Sequence, residues 1–100
     1  MQETKSNNQN ETNLIDILVK EYKDETWEKI ANSIKKTKLK IEGIPQDIID
    51  VLVFTLDSEI EASEWLKRNL TAFDGKTAKD LLSTEKGTKA LKQFILRIPM

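Results

Sequence analysis

Residues 77–98 read TAKDLLSTEKGTKALKQFILRI, and this pattern predicts two consecutive helices that meet in a tight turn. Thr77 is followed three residues later by Asp80, so a hydroxyl can cap the first helix while a carboxylate lies in its first turn. Ser83 or Thr84 can then cap the second helix. The stretch therefore predicts helical structure for the end of the chain.

The second of these helices has one apolar face. Its apolar residues recur at helical spacing: Ala90, Leu91, Phe94, Ile95 and Ile98. Gly87 falls near the same face, where a glycine costs about 1 kcal/mol of helix propensity. That cost indicates that another backbone packs against it. Pro99 lacks the donor needed to continue the helix.

Two apolar stripes upstream predict two more helices. The first helix is expected to begin at Thr12 or Asn13, and the two stripes are Leu14, Ile17, Leu18 and Tyr22, then Trp27, Ile30, Ala31 and Ile34. The charged run 23–25 interrupts the pattern, so we predict a break near Asp24. One long helix over 13–36 is the alternative.

The centre of the chain is strongly apolar. After Pro45, which suits a first helical turn, residues 48–56 are apolar almost all round, which is typical of a buried segment. Asp47 and Asp50 near its start favour a helix, although the β-branched residues leave a strand open. Ser58 with Glu61 then fits a capping box.

The next helix is expected to bury its inner face, formed by Ala62, Trp65 and Leu66, and residues 69–76 form a loop. In this loop Gly75 suits a positive φ, and Phe73 is expected to fill the core.

We predict an all-α fold, a small bundle of five to six short helices. Polar residues 1–11 would form a disordered tail before a single helical domain at 12–100.

Composition excludes several functions. The chain has neither histidine nor cysteine, its serines form no nucleophile motif, and no phosphate-binding glycine loop is present, so we expect no catalytic residue and no cofactor. Glu59, Glu61 and Glu64 are interpreted as a solvated helix face, not as metal ligands. No apolar run is long enough to span a membrane, and a cytoplasmic protein is expected.

Four lysines in six residues form the most basic segment: Lys35, Lys36, Lys38 and Lys40. They could bind nucleic-acid phosphates, or they could be the solvated end of a helix whose dipole they complement. A net charge of −1 does not indicate a nucleic-acid partner. No compact helix-turn-helix pattern is visible nearby.

The C-terminal half of the chain resembles the toxin-binding domain of the Xre/MbcA/ParS antitoxins. The residues that carry the resemblance are Ala62, Trp65, Leu66, Asn69, Gly75, Thr77, Asp80, Leu81, Leu82, Thr84, Glu85, Gly87, Leu91, Arg97 and Ile98. Asp74 departs from the pattern, because the family has a glycine there, and Ala78-Lys79 stands where Pro-Leu is usual. We assign 58–100 to this toxin-binding part.

The resemblance implies an antitoxin of a type II toxin–antitoxin system, which would sterically inhibit a RES-domain toxin that degrades NAD. By its helical angle, Leu96 points away from the inward face of the last helix, and Arg97 also lies off that face. We predict that these two residues bind the partner together with Met100, Asn69, Gly75 and Lys79. The resemblance supports Arg97, because the family has an arginine at this position. The expected structural core is Trp65, Leu66, Leu81, Leu82, Gly87, Leu91, Phe94 and Ile95. Two alternatives are a DNA-binding repressor that uses the lysine segment, and a helical interaction module that dimerises without a toxin.

Overall fold

The computed structural model describes residues 14–98, which contain six helices and no strand. The elements are α1 over 14–21, α2 (Asp24–Ser33), α3 (Gln46–Leu56), α4 (Glu59–Lys67), a 3-10 turn (Thr71–Phe73), α5 (Ala78–Leu82) and α6 (Glu85–Leu96). The all-α prediction is confirmed. The predicted tail, the start of the first helix, Pro99 and Met100 lie outside the described residues.

The break between α1 and α2 falls at Tyr22 and Lys23, as the charged run predicted, and the single long helix is wrong. Asp24 and Glu25 occupy the first turn of α2, where carboxylates complement the helix dipole. Leu18 and Trp27 are fully buried on either side of this break. Both helices therefore contribute side chains to the common core.

Helix α3 lies at the centre of the core, and the strand alternative for it is wrong. Ile48, Ile49, Val51 and Leu52 are almost completely inaccessible to solvent. The helix ends at Asp57, which adopts a left-handed conformation with φ 56° and donates its backbone N–H to the Val53 carbonyl at 2.7 Å. The apolar pattern predicted a segment buried on most sides, and the exposed side carries Phe54, which is 50% exposed.

The segment 34–45 crosses from α2 to α3 without helical structure, and side chains of α3 hold it. The backbone N–H of Thr37 donates to Asp50 Oδ1 at 3.1 Å. Gln46 Nε2 donates to the same oxygen at 2.9 Å and to the Leu39 carbonyl at 3.1 Å. Since Asp50 is only 2% exposed, these bonds compensate for burying its carboxylate.

A polar cluster joins α2 and α3 to α6. Trp27 Nε1 donates to Asp47 Oδ2 at 2.8 Å, and Lys92 Nζ lies 3.8 Å from the same oxygen. The Lys92 ammonium also lies 5.3 Å from the centroid of the Trp27 ring. At this distance a cation is attracted to the aromatic face, so Lys92 links the three helices.

Helix α1 packs alongside α6 in the same direction. Asp16 pairs with Lys86 at 2.7 Å near the start of α6, and Glu21 pairs with Arg97 at 3.2 Å at its end. Gln93 Nε2 also donates to Glu21 at 3.3 Å. The start of α1 therefore pairs with the start of α6, and the end of α1 with the end of α6, so the two helices run parallel.

No helix within 14–98 is long and apolar enough to cross a membrane.

Candidate functional site

The turn between α4 and α5 is a compact loop closed by the backbone. Leu70 donates its N–H to the Lys76 carbonyl at 2.8 Å, and Gly75 donates to the Leu70 carbonyl at 3.0 Å. Gly75 has φ 83°, as predicted, and Asp74 has φ 59°. Aspartate is one of the few residues that tolerate this left-handed region. Asp74 stands where the sequence pattern described above has a glycine, and its positive φ is a conformation that glycine adopts easily.

Three aromatic side chains, Trp65, Phe73 and Phe94, join this turn to α4 and α6; we call them the aromatic cluster. Phe73 is buried, as predicted, and its ring meets Phe94 edge to face at a centroid distance of 5.0 Å. The rings of Trp65 and Phe94 are 6.3 Å apart. Trp65 and Phe94, which we predicted as core residues, are half-buried and pack against the buried core.

Helix α5 begins with the predicted capping box. The Thr77 hydroxyl accepts the Asp80 backbone N–H at 3.3 Å, and the Asp80 carboxylate accepts the Thr77 backbone N–H at 3.0 Å. The Thr77 backbone N–H, and next the Thr77 side chain, stabilise the charged carboxylate and lower the pKa of Asp80 below its ordinary value. The box fixes the direction in which α5 leaves the turn.

The α5–α6 connection is as tight as the glycine predicted. The Thr84 hydroxyl accepts the Gly87 N–H at 2.9 Å and so caps α6. Gly87 is buried against the Leu81 carbonyl, and no larger residue fits without movement of the backbone. Leu81, Leu91 and the rest of the predicted core are buried, except that Leu82, like Trp65 and Phe94, is half-buried.

Two of the three partner-binding residues predicted at this end of the chain, Leu96 and Arg97, lie where α6 ends. Leu96 does not point freely outward as expected: it is half-buried and packs against the core. Arg97 is exposed, and its guanidinium Nη2 pairs with the Glu21 carboxylate. Met100 lies outside the described residues. A charge change at Arg97 can therefore be made without disturbing the core, whereas one at Leu96 cannot.

The remaining predicted partner-binding residues divide into two groups. Asn69 and Gly75 are exposed on the turn, which contacts the second half of α6 through Phe73 and Phe94. The side chain of Lys79 is exposed but lies beside Gly43, on the segment that leads into α3. The turn and the second half of α6 are therefore in contact. Within residues 14–98, no contact described above joins Lys79 to either of them.

The lysine segment has its own surroundings. All four lysines are exposed, and Lys36 Nζ donates to the Ala31 carbonyl at 2.9 Å, which satisfies one acceptor at the end of α2. Lys35, Lys36 and Lys38 line a groove of about 640 Å³, together with Asp57 and Glu59. Carboxylates within the groove reduce its attraction for a phosphate backbone.

Two features escaped the sequence analysis. Glu21 gave no signal because its partner Arg97 is 76 residues away in the chain. The exposure of Phe54 gave no signal in the sequence, because a helix that is apolar almost all round does not indicate which of its faces is exposed. Within residues 14–98 no group of histidine, cysteine or carboxylate side chains is arranged to hold a metal ion.

The arrangement contains a hydrogen-bonded turn, two half-buried aromatic side chains and an exposed arginine, which suit protein binding better than chemistry on a small substrate. Comparison with known proteins agrees. Residues 52–98 match the family model of the antitoxin Xre/MbcA/ParS C-terminal toxin-binding domain, which confirms the resemblance expected from the sequence. Searches of curated proteins and of solved structures gave no significant match.

Proposed function

We propose that the protein neutralises a RES-domain toxin and thereby prevents degradation of cellular NAD, because residues 52–98 match the family model of an antitoxin toxin-binding domain. The family match is the observation that carries the proposal, and it already implies a protein toxin as partner. The RES class comes from the resemblance. Inhibition would be steric and would take place in the cytoplasm, without any chemistry by this chain.

The proposed contact surface combines the turn with the end of α6. Asn69 and Gly75 offer exposed backbone and side-chain polar groups, and Arg97 offers a half-exposed guanidinium. The half-buried side chains of Trp65 on α4 and Phe94 on α6 lie next to the turn. Aromatic and arginine side chains of this kind supply most of the binding energy in many protein interfaces.

Arg97 is the residue of this surface best suited to pair with carboxylates of the toxin. Its planar fork has several donors, and the pair with Glu21 occupies only Nη2. Side chains of both residues are partly exposed, so the pair itself is worth little in water and a toxin carboxylate can replace it. Met100 stays a predicted contact, and Lys79 is not required for this surface.

The experiment is affinity capture of the protein from its source cells, followed by binding and rescue assays with the captured toxin. Arg97→Glu should weaken toxin binding by about a hundredfold or more, because it places like charges across the interface. Cells that express the toxin should then lose NAD and stop growing. Lys29→Glu on α2 makes the same charge change at an exposed site and should protect fully.

A captured toxin without a RES domain would contradict the proposed class. Full protection by a folded Arg97→Glu variant would instead place the contact elsewhere on the domain. The DNA-binding alternative is not favoured, since Asp57 and Glu59 lie among the lysines. A salt-dependent mobility shift with its own promoter would revive that alternative.

A further inference from the structure

The side chains of the proposed toxin contact supply only part of the area that a stable protein interface needs. Such an interface covers about 800 Å² on each partner, with roughly 20–30 residues a side. Surface that borders Arg97 must therefore take part as well. One neighbour of Arg97 is Glu21 on α1, whose Oε2 lies 3.2 Å from the guanidinium Nη2. Helix α1 therefore borders the proposed contact.

Three large apolar side chains within residues 14–98 are exposed, and one of them lies close to this ion pair. Phe54 and Ile60 line depressions shared with the segment 34–45. Ile17, which is 46% exposed, lies on α1 instead. It precedes Glu21 by four residues, and residues at this spacing are neighbours on one side of a helix. Ile17 is therefore about 6 Å along α1 from the residue that contacts Arg97.

Helix α1 is fixed against the rest of the domain, so Ile17 has a defined position on this surface. The next residue, Leu18, is completely buried in the core. Glu21 Oε1 accepts a hydrogen bond from Gln93 Nε2 at 3.3 Å, which ties α1 to α6 one turn before Arg97. A contact residue that is already in position lowers the entropy lost on binding, and this favours affinity.

We propose that the toxin contact extends from the end of α6 onto α1, where Ile17 is an apolar anchor. This inference rests on the proposed function, because the occupant is the same toxin. The toxin surface that fits it has an apolar depression for Ile17 beside the carboxylate that pairs with Arg97. Apolar contacts bordered by polar and charged groups are the usual anatomy of an interface. Helix α1 precedes residues 52–98, so this contact lies outside the part of the chain that matches the toxin-binding domain.

Biolayer interferometry with the full-length chain and the toxin captured on it measures the contribution of Ile17. Ile17→Asp should raise the dissociation constant by about a hundredfold, because it places a charge in an apolar contact. Ile17→Lys should weaken binding to a similar degree. Ile17→Leu keeps an apolar side chain of similar volume and should stay within about threefold of wild type. Opposite effects of the aspartate and lysine variants would indicate a purely electrostatic role and would overturn the proposal.

Ile60 on α4 offers the matched control, because it is an isoleucine that is 73% exposed. Ile60→Asp makes the same chemical change and should bind the toxin as wild type does. Circular dichroism and thermal melts check that each variant is folded. Equal weakening by Ile17→Asp and Ile60→Asp would overturn the proposal, because the loss would then not depend on the position of the residue.

Cross-linking gives a second readout that does not require a polar variant to fold. A photoreactive benzophenone side chain in place of Ile17 should cross-link to the toxin, and one in place of Ile60 should not.

The Arg97→Glu variant separates this inference from the proposed function. If Arg97→Glu loses toxin binding while every Ile17 variant binds fully and position 17 does not cross-link, the extension onto α1 is overturned and the proposed function stands. If Arg97→Glu also binds fully, the contact at the end of α6 is wrong, and the extension is overturned with it.

Discussion

A Cβ atom on Gly87 would overlap the carbonyl oxygen of Leu81, because the first turn of α6 packs directly against the last turn of α5. The same Cβ would lie 2.9 Å from the Leu81 carbonyl carbon. Both obstacles are backbone atoms, so no side-chain rotation can relieve the clash. The geometry of the α5–α6 corner therefore depends on the absence of a side chain at this position.

Gly87→Ala should destabilise the domain by about 3 kcal/mol, since the backbone must shift to admit the methyl group. Gly75→Ala is the control, because Gly75 has space for a Cβ and suffers only from its positive φ. It should cost about 1 kcal/mol. Urea denaturation measures both, and equal losses for the two variants would contradict the close approach at Leu81.

Asp50→Ala should cost about 3 kcal/mol, because the partly buried Thr37 N–H and the Gln46 amide lose their charged acceptor. Asp50→Asn keeps an oxygen in place and should cost less. Hydrogen exchange of the Thr37 amide reports the bond directly and should accelerate in the alanine variant. Unchanged protection of that amide would mean that segment 34–45 is held by other contacts.

Trp65→Ala should destabilise the domain less than Phe73→Ala, although tryptophan is the larger side chain. Phe73 is buried, and its loss should cost about 3–5 kcal/mol. Trp65 is half-buried and should cost about 2 kcal/mol, by scaling the same loss to its burial. Thermal melts rank the two variants, and a larger loss at Trp65 would show that its solvent-facing edge is covered in solution.

Tyr22 is the chain's single tyrosine, so its ionisation can be followed by absorbance near 295 nm. Burial, and next the carboxylates of Asp24 and Asp47, raise its pKa above the ordinary value of 10.0. Since the folded pKa is the higher one, the associated stability is complete below pH 10 and is lost as pH rises. An ordinary titration midpoint in the folded protein would contradict the burial of the hydroxyl.

Asp80 should make the domain sensitive to acid. Its folded pKa is lower than the unfolded value near 3.8, so its stabilising effect is present above that value and is lost as pH falls below it. Asp80→Asn should remove this part of the pH dependence, and Thr77→Ala should reduce it by removing the hydroxyl partner. Melting curves between pH 2 and 6, on the order of two units either side of 3.8, measure the effect. Identical pH profiles for wild type and variants would count against the capping box in solution.

Local signals in the sequence were sufficient for most of the helices. The charged run after Tyr22, the caps at Ser58, Thr77 and Thr84, and the glycine at 87 each correspond to a feature of the structure. These signals act through neighbours within a few residues of each other. For that reason they can be read without knowing the fold.

Contacts between distant parts of the chain could not be read in this way. Asp50 resembled an ordinary polar residue of a first helical turn, since its partner Thr37 lies in a segment with no periodic pattern. The sequence could not predict that Phe54 lies on the exposed face of α3, because this helix is apolar almost all round. Leu96 was assigned outward from its helical angle alone, and packing at the end of α6 half-covers it.

The parallel pairing of α1 with α6 has a consequence for folding kinetics. Gln93 and Glu21 are 72 residues apart, so this contact closes a long loop and carries the corresponding loss of chain entropy. Contacts among α3, α4, α5 and α6 close much shorter loops. We therefore expect α3, α4, α5 and α6 to be assembled in the transition state for folding, and α1 to pack against α6 only after it. Substitutions in α1 should then accelerate unfolding and leave the refolding rate almost unchanged.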